Sequence, residues 1–327
     1  MSNTRKTDLD ISYNGKNISN DIINNLKSFS YIDVASGECD TLSIVLASHG
    51  WISKWLPEEE DYLESTIFLK NWKEEGDNRK IKCGKFMIDD FYLQGPPSSY
   101  NLRGISSPIQ TDFAHTTKNK TWSKTTTKGI ASQIAKNAKV SLVYDAPSHA
   151  ITKIEQSGES DMSFLFKVCQ DYNLSMKIYN SKLIIFDEAA YEKKAAVGTI
   201  DISDCSSYTL NKTLVGKFNS VIIKYKVAKS NKTYTYEHKE TKGGRILRLS
   251  NRASSLADAK LKAIAALRKA NKEAQTAQIS VMGDVLYMAG TCLTLTGFGK
   301  FNGKYYIDKV THTLADGYTS NLQMHKV

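Results

Sequence analysis

Catalysis by this chain would have to come from paired carboxylates, histidines, a nucleophilic cysteine or serine, or a glycine-rich phosphate loop. Glycoside hydrolysis needs two carboxyl groups flanking a cleft. The acids gather at Glu58-Glu59-Glu60-Asp61 and Asp89-Asp90. The first group is an unbroken charge run, as in a solvated loop; the second lies in a strand-like stretch, where neighbouring side chains point to opposite faces. Asp161 follows Ser160, which reads as a helix cap, and an acid there suits the helix dipole. His49, His115, His149, His238, His312 and His325 form no HExxH and no pair four residues apart, so no zinc-protease pattern is present. No GxSxG nucleophile elbow occurs either. Spacing leaves a Cys169–His149 nucleophile pair open, although Cys169 falls on an apolar helix face.

Two further patterns fail on their spacing. In Gly297–Gly303, Gly303-Lys304 precedes Tyr305, and the earlier glycine of a P-loop is replaced by Phe298. A dinucleotide GxGxxG would need glycine where Asn302 stands, and the segment joins two strands where both motifs must open a helix. It reads as a β-turn. Cys39, Cys83, Cys169, Cys205 and Cys292 are scattered without a CxxC, which predicts reduced thiols and neither a disulfide framework nor a zinc site. No catalytic residue, metal or cofactor is therefore nominated.

The elements around these residues alternate in kind. Phe29–Val34 and Thr41–Leu46 flank a Gly37-Glu38 turn and predict a hairpin. Tyr62–Lys70 and Lys85–Leu93 predict further strands, and Gly95-Pro96-Pro97 stops the run because proline cannot donate to a ladder. Short strands between turns indicate a sandwich or barrel closing near Gln110. In the middle third, Ile130, Ala131, Ile134, Ala135 and Ala138 form a helical stripe. A second helix starts at Ser160 with Phe164, Leu165, Val168, Cys169 and Tyr172 on one face. Leu174, Met176 and Ile178 then alternate, and an Asn180-Ser181 turn leads into Leu183–Phe186, predicting helix packed on hairpin. The last third returns to strands, at Asn219–Val227, Thr233–Glu237 and four later stretches. Its one interruption is a helix from Ser255 to about Gln275, with Ser255 and Asp258 placed for a capping box. The small-residue stripe of that helix is expected to pack on its own domain. No internal sequence repeat is visible.

Composition narrows the class. The 327 residues include 17 Tyr and 11 Phe, too many aromatics for a disordered chain. No apolar run is long enough to span a membrane, and Met1–Asp10 has no signal-peptide core, so a soluble protein made in the cytoplasm is expected. Net charge is +10, yet 16 Lys and Arg against three acids lie between Asn211 and Lys272, leaving the remainder slightly acidic. No nucleic-acid motif accompanies this basic stretch.

Three stretches carry a resemblance. They are Ala289–His312, with its core Thr291-Cys292-Leu293-Thr294-Leu295-Thr296-Gly297-Phe298-Gly299-Lys300; Glu155–Leu165; and Gly84–Phe91 followed by Gly95-Pro96-Pro97. Together with the basic, alanine-rich helix before the last strands, the chain resembles the phage late control D family of baseplate hub proteins. The likeness is to the branch in PBSX-like prophages and phage-tail-like bacteriocins. It implies a β-rich α+β fold of two tail-tube-like β-barrels separated by an α/β insertion: an N-terminal extension over 1–25, a first barrel over 26–110, the insertion over 111–199, and a second barrel over 200–327 interrupted by the helix 255–275. It implies a homotrimer that adapts the six-fold tail tube to the three-fold central spike of a contractile injection system. The implied partners are the tail tube protein, the spike protein, other baseplate proteins and a tape measure protein, within a virion or tail-like particle. Because the sequence ends at Val327, about a strand past His312, the spike is expected to be a separate protein. A cationic lumen would retard DNA, so the basic helix face (Lys260, Lys262, Arg268, Lys269 and Lys272) is expected to meet protein at an assembly interface. The alternative role is a cell-wall-degrading or wall-binding tail protein.

Overall fold

The computed structural model describes residues 4–327 apart from 48–55, 59, 107–112, 214–216, 227–231, 242 and 251–252, so His49, Glu59 and the expected boundary near Gln110 lie outside the described residues. Strand dominates, as expected of a β-rich α+β chain. The N-terminal region holds β1 (Lys6–Tyr13), β2 (Lys16–Asn17), β3 (Leu26–Val34), β4 (Thr41–Ala47), β5 (Tyr62–Lys70), β6 (Arg79–Gln94) and β7 (Ser99–Ile105). The middle holds β8 (Thr117–Thr126), β9 (Ser141–Asp145), β10 (Ala150–Ser160), β11 (Leu174–Tyr179) and β12 (Lys182–Asp187). The last region holds β13 (Gly198–Asp201), β14 (Cys205–Lys212), β15 (Ser220–Lys226), β16 (Thr233–Lys239), β17 (Ile246–Leu249), β18 (Gln275–Met282), β19 (Cys292–Thr296), β20 (Gly303–Leu314) and β21 (Tyr318–Lys326). The α-helices are α1 (Ser19–Ile22), α2 (Thr127–Asn137), α3 (Asp161–Asp171), α4 (Glu188–Glu192) and α5 (Leu256–Lys272). Among the described residues, none is long and apolar enough to cross a membrane.

One 13-stranded sheet joins the two ends of the chain. In its N-terminal half the strands lie in the order β3-β4-β7-β6-β5, and in its C-terminal half in the order β14-β18-β21-β20-β19. Each series visits its strands in the same chain order, and every one of these pairings is antiparallel. Bulges recur at the same rungs: between Leu26 and Ser28 on β3 and between Cys205 and Ser207 on β14. They recur again at Asp89 on β6 and Asp308 on β20, each preceded by isoleucine. The halves are thus one five-strand unit built twice. The sequence hides this because the repeat survives as inward-facing positions and bulges, while a long insertion splits the second copy after its first strand. β20 joins the halves by pairing with β3, from Lys309 opposite Val34 to Leu314 opposite Phe29. Among the described residues, neither half closes its ladder into a hydrogen-bonded barrel.

Alternation explains the core. In β4 the side chains of Leu42, Ile44 and Leu46 face inward and are fully buried, each contributing about 1.5–3 kcal/mol. They pack with Phe29, Tyr31, Leu63, Ile67 and Phe86, and Val285 and Tyr318 enter this cluster from the C-terminal half. A second cluster holds Ile200, Ile279, Leu293, Leu295, Tyr305 and Leu322. The segment expected as an extension over 1–25 contributes a full strand instead: β1 pairs with β5 from Lys6 opposite Lys70 to Tyr13 opposite Leu63, because Leu9 and Ile11 belong to the first core.

Two α/β layers are inserted. In the first, Ile130, Ala131 and Ile134 of α2 and Phe164, Leu165 and Val168 of α3 pack with Ile178 and Leu183 of the sheet β11-β12-β9. Thr126 Oγ1 accepts from Gly129 N at 3.0 Å and Ser160 Oγ from Ser163 N at 3.3 Å, capping the two helices. The second insertion corrects the expected lone helix over 255–275. Between β14 and β18, α5 lies on the sheet β16-β15-β17, with Ala259, Ala263 and Leu267 against Val221, Ile223 and Tyr225. Ser255 Oγ accepts from Asp258 N at 3.1 Å, but the capping box is incomplete: Asp258 Oδ2 accepts from Ser254 N at 2.8 Å, one residue before the cap.

Lys177 of β11 ties the first insertion to the sheet joint. Its ammonium, on a side chain 13% exposed, binds the buried Asp33, donates to Val34 O at 3.0 Å and lies 3.1 Å from the buried Asp40. Burial alone would lower the lysine pKa, but the two carboxylates outweigh it and raise it. Burial pushes the Asp40 carboxyl up to about 7 in spite of Lys177, since two acids share one cation. Asp33 Oδ2 also accepts from Ala289 N at 2.9 Å, so three parts of the chain meet at one ion cluster. Removing the cation leaves buried carboxylates uncompensated. Lys177→Met is expected to destabilise the protein by about 3–5 kcal/mol, read from the urea midpoint, whereas Lys16→Met on the exposed β2 should leave that midpoint unchanged.

Candidate functional site

Among the described residues, Cys169, His149, His312, Asp161 and Asp89 are held by contacts within the fold. Cys169 is buried on α3, and burial pushes its thiol up to about 12, too high for a nucleophile at neutral pH. His149 stacks on Tyr172 at 5.4 Å between ring centroids, and burial lowers its pKa. His312 is buried with Nε2 3.0 Å from Tyr287 O. A carbonyl only accepts, so Nε2 carries the proton and Nδ1 accepts from the hydroxyls of Tyr318 at 2.7 Å and Ser320 at 3.1 Å. Burial lowers its pKa to about 4, which makes it a neutral core residue. Asp161 receives Lys118 Nζ at 2.7 Å and Gln156 Nε2 at 2.9 Å, and Asp89 lies 3.7 Å from Arg103.

The five basic residues nominated on α5 divide. Lys260 and Lys269 are exposed, and Lys269 Nζ donates to Gln170 Oε1 at 2.8 Å. The other three turn inward to partners within the chain, so of the five residues nominated for an assembly interface only Lys260 and Lys269 are exposed. Arg268 Nη2 donates to Glu192 Oε2 at 2.7 Å and its Nε to Asn173 Oδ1 at 3.0 Å. Lys272 Nζ lies 2.6 Å from Glu188 Oε1, and Lys262 Nζ lies 3.5 Å from Asp258. For Arg268 and Lys272 the physical reason is α4, whose two acids face α5, whereas Lys262 is held by Asp258 one turn earlier on α5 itself. A cleft of about 320 Å³ opens beside this network, between α3, α5 and β20.

Glu188, Glu192 and His325 bring ligand atoms within 4.8 Å of one another, a spacing that suits a metal ion. Their chemistry fits an ion-pair network better. His325 Nδ1 lies 2.8 Å from Asp308 Oδ2 and Nε2 lies 3.2 Å from Glu192 Oε1, so both ring nitrogens donate, whereas a ligating nitrogen needs a free lone pair. Burial opposes the charge, but the two carboxylates raise His325 to about 9. Burial would likewise raise Glu192, yet His325 and Arg268 hold it down at about 2.

The surface carries two features that sequence reading missed. By register, Lys224, Lys226, Lys239 and Arg248 share the face of the sheet β16-β15-β17 turned away from α5, and all four are exposed. Alternation along each strand was the available signal. The distal end of β6 exposes three consecutive large apolar side chains, Phe91 (41%), Tyr92 (51%) and Leu93 (49%). Adjacent residues of a strand point to opposite faces, so both faces are uncovered there.

Two outcomes follow from the ion-pair network. A folded pKa above the ordinary value stabilises fully below about 6.5 and is lost as pH rises through about 9. The melting temperature is expected to fall across that window, and His325→Gln to flatten the decline. Arg268→Ala should cost about 1–2 kcal/mol by urea denaturation, discounted for partial exposure, while Lys260→Ala leaves the midpoint unchanged.

No family model matches the chain. No curated protein matches it in sequence. Solved structures match it in fold. The tail protein from Neisseria meningitidis MC58 aligns over 98% of this chain and 96% of its own, with 14% identity and a TM-score of 0.72. The 43 kDa tail protein of prophage MuSo2 from Shewanella oneidensis aligns over 98% of both chains at 11% identity, with a TM-score of 0.69. The E. coli c3393 protein, described as a type VI secretion system component similar to bacteriophage T4 tail proteins, aligns over 93% of this chain and 74% of its own, at 11% identity and a TM-score of 0.60. The chain therefore has the fold of phage and prophage tail proteins along nearly its whole length.

Proposed function

We propose that this protein is a structural baseplate hub of a phage or phage-tail-like particle, and that it works by assembly without catalysing a reaction. Three copies would each contribute two tube-like β units, giving six units around a three-fold axis. Such a ring meets a six-fold tail tube on one side and a three-fold central spike on the other, and passes the thrust of contraction between them. The observation that carries this reading is the five-strand unit built twice in one chain and joined edge to edge in one sheet. A chain with a doubled unit turns three-fold symmetry into approximate six-fold symmetry, which a single unit cannot do. The fold shared with tail proteins supports it further. Partners in this reading are the tube protein, the spike, neighbouring baseplate proteins and a tape measure protein. The exposed cations of the sheet β16-β15-β17, together with Lys260 and Lys269, face protein neighbours.

Sedimentation of the full chain at rising concentration is expected to reach the mass of three copies and stop there. A mass fixed at one or two copies, with and without the spike, would overturn the hub. The wall-degrading alternative is tested by a peptidoglycan zymogram, where no clearing is expected.

A further inference from the structure

The ion cluster at the sheet joint holds more negative charge than it balances. Lys177 Nζ has three acceptors: Asp33 Oδ1 in direct contact, Asp40 Oδ2 at 3.1 Å and Val34 O at 3.0 Å. Asp33 and Asp40 are 1% and 0% exposed, so two carboxyl groups share one cation away from water. The second oxygen of each is fixed by the backbone. Asp33 Oδ2 accepts from Ala289 N at 2.9 Å, and Asp40 Oδ1 from Val34 N at 2.9 Å. Ser106 braces Asp40 further, its hydroxyl accepting from Asp40 N at 3.0 Å. An amine nitrogen is thus pressed on one carboxyl group while a second carboxyl touches the same nitrogen.

We infer that Lys177 and Asp33 condense into an amide, an isopeptide bond that ties β11 of the first insertion to β3, with Asp40 carrying the protons. The step balances without a further reagent. Asp40 Oδ2, as carboxylate, takes a proton from the ammonium and passes it to Oδ1 of Asp33, leaving a neutral amine beside a neutral acid. The freed electron pair of the nitrogen attacks Cγ of Asp33, and the charge that develops on Oδ2 is held by the Ala289 N–H. Asp40 then takes a second proton from the nitrogen and delivers it to the Oδ1 hydroxyl, which leaves as water. One N–C bond forms and one C–O bond breaks; Asp40 ends as it began, and nothing is oxidised or reduced.

The surroundings favour this product. Contact between amine and carboxyl replaces a bimolecular encounter. A buried ion pair bears a desolvation cost that a neutral amide does not. The two acids raise the lysine pKa, so losing its proton is the demanding step, and Asp40 sits on that proton. Burial pushes Asp40 up to about 7, which lets it take and return protons near neutrality. The bond closes the chain between residues 33 and 177 into a covalent loop, whatever the number of copies in the assembly.

The intact mass of the purified full chain tests this. It is expected about 18 Da, one water, below the mass of the sequence, with the Lys177→Met chain at its own full mass. In a tryptic digest, peptides 28–54 and 168–182 are expected as one branched species, uncut at Lys177, and fragmentation should place the branch on Asp33. A folded chain that keeps its full mass at neutral pH would overturn the bond. So would a mass deficit without the branched peptide, since an aspartate can also lose water to its own backbone. A branch on Asp40 would overturn the roles assigned to the two acids. Asp40→Asn keeps the size of the side chain and cannot relay protons. Folded, as shown by a cooperative melting transition, it is expected to condense at least about a hundredfold more slowly, followed by mass from first expression. Condensation of that variant at the unaltered rate would overturn the relay.

Discussion

Pairing between the third strand of the chain and the penultimate one holds this molecule together. β3 and β20 are separated by most of the sequence, and their ladder makes one sheet of two halves. Everything inserted between them must leave the sheet and return without disturbing that ladder. The cost of closing so long a loop grows only slowly with its length, so large insertions are tolerated provided the joint itself is strong. The joint is reinforced by the stacked His312 and Tyr31, by Val285 and Tyr318 entering the N-terminal core, and by Arg79 bridging to Asp284 at 3.2 Å.

Charge does a different job at the insertions. Lys177 between Asp33 and Asp40, and Arg268 and His325 around Glu192, sit where an inserted layer meets the sheet. Buried ion pairs add little net stability over well-packed apolar groups, because desolvation consumes most of the attraction. They do penalise wrong positions steeply, since any displacement strands a charge away from water. These clusters therefore fix the insertions in orientation against the sheet. The cleft beside His325 is the gap between those layers, and on its wall Lys272 pairs with Glu188 and His325 with Asp308.

Surface chemistry separates along the same lines. The basic stretch that dominates the sequence is spent twice: its helix lends three cations to the interior, and its sheet displays four to solvent. The end of β6 exposes three consecutive large apolar side chains, Phe91, Tyr92 and Leu93.

Much of this was legible in the residues. Alternation in Thr41–Ala47, the helical stripe of α2 and the caps at Ser160 and Ser255 all follow from local periodicity and spacing, which act within a few residues. The strand Lys6–Tyr13 was hidden because its partner is Tyr62–Lys70, far along the chain. The repeat was hidden because a sheet constrains inward positions and bulges, not identities. The inward turn of Arg268 and Lys272 depends on Glu188 and Glu192, which local reading assigned to another part of the chain. Sequence by itself determined the segments that carry their own periodicity, such as Thr41–Ala47, α2 and α3, and which face of each is apolar, because those depend on neighbours in the chain. Tertiary structure alone decided which edges are paired, which are left free, and which charges face inward, because each of those depends on a partner brought from a distance.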